Sequence, residues 1–355
     1  MDDCEKAIFF ASYRPLHYVQ WAQTLLAVLS LVVIGVVLRR FWVRMPVVHK
    51  NLKILLVNAF VFYTCHSVLI IVAQLMNQSV AGGYLLIKYH TYHTSCDILT
   101  RTLPCLSIRA PTFLCMTGFS MIQVSLAYER TIATYRRKNY EKTGCKSGIV
   151  VSVVTWVTIF LLNAYIFYNE DYAGNKVYCG ATSAYNAQKI LYVTYVLLAI
   201  DIAIIVFNYF LLRHNKRRLL SSRKNNNKYN LSDLYQTREN ILTMNAILPM
   251  AFVHSLIYLI YLGTTAFSRL SFANTEPHIF TTILEACYIL PVIYTCAVPL
   301  TFSQLLYKIQ ARRLQDSKLA MNKQPSEEAG RRYFNQLAQS WDSLARQKQR
   351  TAWQA

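Results

Sequence analysis

Apolar positions along this 355-residue chain fall in long blocks, not in the short alternations of a sheet or the one-sided stripes of a soluble helix. The blocks are Tyr18–Leu38, Ile54–Met76, Pro104–Tyr128, Gly148–Tyr168, Ile190–Leu212, Ile241–Phe267 and Phe280–Phe302. A run of about 20 apolar residues rising 1.5 Å each crosses the ~30 Å hydrocarbon core of a bilayer. Several blocks are rich in β-branched and aromatic residues, but an open sheet cannot leave its edge N–H and C=O groups in lipid, so each block predicts a helix. The expected fold is an all-α membrane protein, a seven-transmembrane helix bundle over 18–303, with an arm over 1–17 and a tail over 304–355. The arm lacks the basic-then-apolar-then-small order of a cleaved signal, so the first span is expected to serve as its own insertion signal.

Charge gives the bundle a direction. Of the 37 Lys and Arg residues, 29 lie in four segments: after the first, third and fifth blocks, and in the tail. Positive segments stay on the cytoplasmic side, so the amino terminus is expected outside and the carboxyl terminus inside. The formal charge of +20 then reads as a topology signal and an attraction to anionic lipid, not as a nucleic-acid footprint. The 54% hydrophobic content with only 10 Gly fits a membrane protein better than one soluble core. There is no phosphate-cradling Gly loop, no zinc-spaced Cys/His set and no nucleophile elbow, so neither enzyme activity nor a metal or cofactor is expected.

The same topology sorts the nine cysteines. Cys4, Cys96, Cys105 and Cys179 fall outside or at the outer edge, the rest within spans or inside. Arg130, at the inner end of the third block, lies 25 residues after Cys105, roughly 37 Å of helix. Cys105 is thereby placed at the outer edge, beside the fourth connection and its cysteine, Cys179. Cys4 and Cys96 remain as a second pair, with Cys96 the alternative partner for Cys179 and free thiols the plainest alternative to both bonds. Asn77 opens an NQS sequon on the outer face and is the candidate glycosylation site.

Ionisable side chains inside apolar blocks are expensive, about 2.5–3.5 kcal/mol on insertion scales, and so mark candidate sites. Arg109 lies one turn after Cys105, Asp201 near the middle of the fifth block, and Glu285 one to two turns into the seventh. Thr112, Phe113 and Met116 follow Arg109 at helical spacing. These six residues are the candidate small-molecule site. The plain alternatives are packing for the aromatic stripe and a structural ion pair for Arg109 with Glu285. His66 and His254 read as packing histidines. In the tail, Leu305, Leu306 and Ile309 oppose Lys308, Arg312 and Arg313, the pattern of a helix on the inner membrane face. Tyr333, Phe334, Leu337, Trp341 and Leu344 share a helical face that suits lipid, a protein partner or no partner at all.

The third block ends in SLAYERTIATYRRKNYE, Ser125–Glu141. Seven spans with an acid-Arg pair closing the third resemble the layout of G-protein-coupled receptors. ERTIATYRRKNYE resembles, more narrowly, the ER-x-x-AT…YE signature of nematode serpentine chemoreceptors of the Sra-type superfamily. YNLSDLYQTREN, Tyr229–Asn240, resembles the segment with which those receptors enter their sixth helix, and Cys4 and SCDIL, Ser95–Leu99, also match family positions. The resemblance implies a chemosensory receptor in the plasma membrane, in sensory neuron cilia, detecting a small-molecule ligand and activating a heterotrimeric G protein. It assigns the switch to Arg130, with Glu129 as resting partner; Arg136, Arg137 and Lys138 would face G protein or anionic lipid. An interfacial Arg reaching for lipid phosphate is the plain alternative. PVIY, Pro291–Tyr294, and PLTF, Pro299–Phe302, replace the Asn-Pro-x-x-Tyr of rhodopsin-like receptors. A retinal protein needs a Lys in the seventh span, and Phe280–Phe302 has none. A seven-span ligand-gated cation channel is the alternative function, with the opposite orientation.

Overall fold

The structure is a computed structural model and describes residues 3–44, 49–87, 96, 99–136, 144–180, 182–183, 185–224, 231–272, 275–322, 330–331 and 333–342. The elements are α1 (Asp3–Ser12), α2 (Arg14–Arg44), α3 (Lys50–Ile87), β1 (Thr100–Arg101), α4 (Thr102–Tyr135), α5 (Lys146–Phe167), β2 (Asn175–Lys176), α6 (Ala187–Lys224), α7 (Leu231–Ser271), α8 (Pro277–Cys287) and α9 (Ile289–Asn322). Among the described residues, seven helical stretches are long and apolar enough to cross a membrane, and they fall on the seven expected blocks. Most run past the apolar limit into charged sequence. The fifth span, α6, is the clearest case: its backbone hydrogen bonds continue beyond Leu212 to Lys224. Within the arm, α1 buries Cys4, Ala7, Phe10 and Ala11.

Two compact units divide at Leu306 and Tyr307. The first is the bundle. The third span, α4, is its central post, with 67% of its most apolar window buried against 22% for the fourth span, α5. The faces turned outward are apolar: Leu25, Val28, Val32 and Val36 on α2, and Val150, Val153, Val157 and Phe160 on α5, are all exposed. A chain folding in water would bury these stripes, whereas in a bilayer they meet hydrocarbon and cost nothing. What lies between the spans includes polar residues. Ser30 donates to Thr295 at 2.9 Å and Ser67 to Ser30 at 3.2 Å, tying the first, second and seventh spans. Asn163 donates to Thr117 at 3.1 Å, tying the fourth to the third. Close approach is set by small residues: a Cβ on Gly118 would fall 2.7 Å from the Phe62 ring, and one on Gly148 2.8 Å from the Asn51 backbone.

One end of the bundle is covered by a two-stranded antiparallel ladder, β1 on β2, pairing Thr100 with Lys176 and Arg101 with Asn175. Cys105–Cys179 and Cys4–Cys96 are both disulfides, with Cα–Cα distances of 5.5 and 4.7 Å. They fasten the connection after the fourth span to α4, and α1 to the segment before β1.

The seventh span breaks between α8 and α9 at Tyr288. Pro291 accounts for the position: it has no N–H, and its ring clashes with the carbonyl four residues back, that of Cys287, the last residue of α8. The Glu285 carbonyl instead accepts from Tyr288 N at 3.1 Å and from Gln23 Nε2 at 2.5 Å. In the second unit, residues 333–342 are helical, with Tyr333, Phe334 and Trp341 exposed; Leu344 lies outside the described residues.

Candidate ligand site and switch

At the disulfide end, Arg109 from α4 meets Glu285 from α8, Nη2 to Oε1 3.2 Å, with each side chain 2% exposed. The Arg109 Nε donates to the Cys179 carbonyl at 3.0 Å. Gln23 and Gln74 each donate to Glu285 Oε2 at 3.4 Å, and Gln74 also donates to Gln23. First, second, third and seventh spans and the disulfide-bonded loop therefore converge on one ion pair. Burying two charges is unfavourable unless their remaining donors and lone pairs are satisfied, and here the Cys179 carbonyl, Gln23 and Gln74 contribute to that.

The pair separates two hollows. Beneath it, a cavity of about 10 Å³ is lined by Arg109, Thr112, Phe113, Met116, His66 and Tyr288, among others. Both ring nitrogens of His66 lack a hydrogen-bond partner among the described residues, so it is not the satisfied packing histidine expected. Above the pair, a cavity of about 340 Å³ is bounded by Tyr178, Arg269, Phe280, Thr281, Leu284 and Glu285, among others. Five of the six candidate ligand residues are thus gathered at these hollows. The sixth, Asp201, is not. Its Oδ2 accepts from Ser120 Oγ at 2.8 Å and lies 2.9 Å from His254 Nε2, forming a fully buried knot of the third, fifth and sixth spans.

Asn77 is placed otherwise than its sequon suggests. It is inside α3 and 9% exposed, and its Nδ2, the atom a glycan would modify, donates to Tyr178 Oη at 3.2 Å. In this packing that nitrogen is taken by the Tyr178 contact.

At the opposite end, Arg130 is 3% and Glu129 2% exposed. The Arg130 Nε donates to Glu129 Oε2 at 2.5 Å, and its Nη1 donates to Asn240 Oδ1 at 3.3 Å. Asn240, on α7, closes the YNLSDLYQTREN segment, so the two motif segments meet across the third and sixth spans. Asn215 of α6 joins the same cluster, donating to Thr134 Oγ1 at 3.1 Å. Arg136 ends α4 exposed; Arg137 and Lys138 lie outside the described residues.

Between the two ends stands Tyr294. It is 0% exposed, packs on Phe119 and His254 with ring centroids 4.8 and 4.9 Å away, and its hydroxyl lies 3.4 Å from that of Tyr63. Asn240, His254, Arg269, Tyr288, Gln23 and Gln74 carry no signal as site residues when read singly. The polar ones interrupting apolar blocks were the available hint.

A model of the family described as the serpentine type 7TM GPCR receptor class ab chemoreceptors matches residues 1–342. The chain belongs to this family. It is 28% identical over 227 residues to serpentine receptor class alpha/beta-14 of Caenorhabditis elegans, covering 63% of this chain and 55% of that one. It is 23% identical over 317 residues to class beta-6 of the same species, covering 88% and 89%. To class alpha-12, also of that species, it is 21% identical over 337 residues, covering 95% and 98%. The chain thus spans little more than half of the first of these relatives and nearly the whole of the last. As a class ab serpentine receptor it is a multi-pass membrane protein of a receptor family, not of an enzyme family.

Proposed function

We infer that the chain is a chemosensory receptor of the plasma membrane, in sensory neuron cilia, which binds a small molecule at the disulfide end outside the cell and activates a heterotrimeric G protein at the Arg130 end inside. One observation carries this reading: Arg130 is held at once by Glu129 on its own helix and by Asn240 across the gap to the sixth span. A guanidinium with five donors is charged at any cellular pH and exchanges such partners for the carbonyls of a docking helix without a proton transfer. Moving the sixth span away removes Asn240 from Arg130 and opens the end of the bundle. The resting state is a latched population, and ligand and G protein each bias the equilibrium toward the open one.

The candidate ligand residues at the other end reach the latch along α4 itself and through the packed ring series Phe119, Tyr294 and His254. The exposed Arg136, with Arg137 and Lys138 after it, gives the inner face its affinity for anionic lipid. The tail from residue 304 contributes a membrane-surface helix by its opposed apolar and basic faces. The test is guanine-nucleotide exchange on purified G protein by the full chain in lipid nanodiscs, together with an amino-terminal epitope tag read on intact cells. Exchange that requires Arg130 and a tag accessible from outside support the reading. A tag reached only after permeabilisation overturns the orientation and with it the ligand side.

A further inference from the structure

The cavity of about 340 Å³ at the disulfide end lies at the small end of the 300–1,000 Å³ range of ligand pockets. Glu285 is the one carboxylate among its lining residues, and it is already shared by Arg109, Gln23 and Gln74. Arg109 and Glu285 cancel, so the charge left in the cavity is that of Arg269. Its guanidinium has no carboxylate within 4 Å and no hydrogen bond among the described residues, and its Nε is buried without a partner. Arg269 stands in the last turn of α7, where a cation is favoured by the helix dipole. That accounts for the residue type but leaves the buried Nε without an acceptor. Several other charged groups at this end are engaged by neighbours. Glu170 lies 3.5 Å from Lys176 and accepts from Ser183, Glu276 lies 3.4 Å from His278, and Lys189 stands over the Tyr168 ring at 3.9 Å. Burial, reinforced by Glu285, raises the Tyr178 phenol well above its ordinary value, so it remains neutral and adds no negative charge.

Around Arg269, the walls divide by chemistry. Phe280, Leu284 and the Tyr288 ring are apolar, while the Thr182 and Thr281 hydroxyls make no hydrogen bond among the described residues. We propose that this cavity is a site for a small organic monocarboxylate, its carboxylate paired with the Arg269 guanidinium and its short apolar body against Phe280, Leu284 and Tyr288. A planar guanidinium matches a carboxylate in a two-point fork, and in a half-buried cavity that contact replaces the acceptor Nε lacks. The hydroxyls of Thr182 and Thr281 supply the remaining donors. A neutral amide of the same shape presents an NH₂ group to the cation where the carboxylate presents oxygen, and is rejected. The inference deepens the ligand side of the proposed function and is independent of what the Arg130 end engages.

The test uses the full chain in lipid nanodiscs and follows thermal unfolding with benzoate, phenylacetate and hexanoate, each against its primary amide. At least one carboxylate is expected to raise the unfolding temperature saturably, with its amide at least tenfold weaker. Arg269→Gln is expected to raise the half-saturating carboxylate concentration at least tenfold, and Lys146→Gln, exposed at the start of α5, to leave it unchanged. If Arg269→Gln does not accumulate, Thr281→Phe, which fills the half-buried wall without touching the cation, is expected to abolish the carboxylate effect. Three results overturn the proposal: amides as effective as carboxylates, no stabilisation by any of the three acids, or a wild-type dose response in Arg269→Gln or Thr281→Phe. Carboxylate stabilisation without nucleotide exchange on any G protein refutes coupling and leaves this site standing.

Discussion

Replacing Asn240 with Leu removes the one hydrogen bond by which the sixth span holds Arg130 among the described residues, a contact of 3.3 Å between Oδ1 and Nη1. Hydrogen bonds to a charged group contribute about 1.5–3 kcal/mol. A bond of this length belongs at the lower end, about 1.5 kcal/mol, which is roughly a tenfold change in an equilibrium constant. The neighbouring bond to Glu129 stays on α4 in either state and does not resist movement of α7. If about 1% of receptors are open without ligand, a value within the usual range for minor states, Asn240→Leu should bring the fraction to about 10%. Asn240→Asp should do the reverse, because an ion pair with Arg130 strengthens the latch. Ligand-free nucleotide exchange on reconstituted G protein, normalised to receptor amount, reads both. A basal rate in Asn240→Leu at or below that of the wild type, with Asn240→Asp no lower, refutes the latch.

Cys105→Ser or Cys179→Ser opens a loop closed over a separation of 74 residues and should cost about 2–5 kcal/mol, seen as loss of cell-surface receptor; normal surface levels for both refute a stabilising role. Arg109→Gln leaves Glu285 as a buried unpaired charge and should cost about 3–5 kcal/mol, whereas Arg109→Gln with Glu285→Gln removes both charges and should recover most of it; a double variant no better than the singles in a thermal-unfolding assay contradicts the pairing. Asp201→Asn and His254→Gln break the same knot, so a double-mutant cycle should show a coupling of about 0.5 kcal/mol or more, and strict additivity removes the contact. Gly118→Ala puts a methyl 2.7 Å from the Phe62 ring and should destabilise by about 1–3 kcal/mol; an unchanged unfolding temperature means that the second and third spans are not in close contact there.

The spans were legible because a bilayer fixes their length, and block length survives any uncertainty about which face packs. Arg109, Asp201 and Glu285 were legible for a related reason: a charge in hydrocarbon needs a partner, so its presence announces one. Sorting four cysteines to one end made two disulfides legible, but Cys96 stayed open beside Cys105 as the partner of Cys179 until the structure paired them. Asn240, His254 and Arg269 were not legible as partners, because their contacts join residues 110 and 53 positions apart or face a cavity, and no spacing rule on one helix reports either. The contact of Asn77 with Tyr178, 101 residues away, was not legible either, because a sequon is a local pattern. The break at Tyr288 was written in Pro291, but that Gln23 from the first span takes the Glu285 carbonyl beside the break was not.

Binding of purified heterotrimeric G protein to the full chain in lipid nanodiscs, compared between wild type and Arg130→Ala at equal amounts of folded receptor, tests the central claim most directly. The wild type is expected to bind and to catalyse nucleotide exchange, and Arg130→Ala to lose both while still being stabilised by whatever stabilises the wild type at the disulfide end. Equal G-protein binding and exchange by Arg130→Ala would contradict the assignment of Arg130 as the switch.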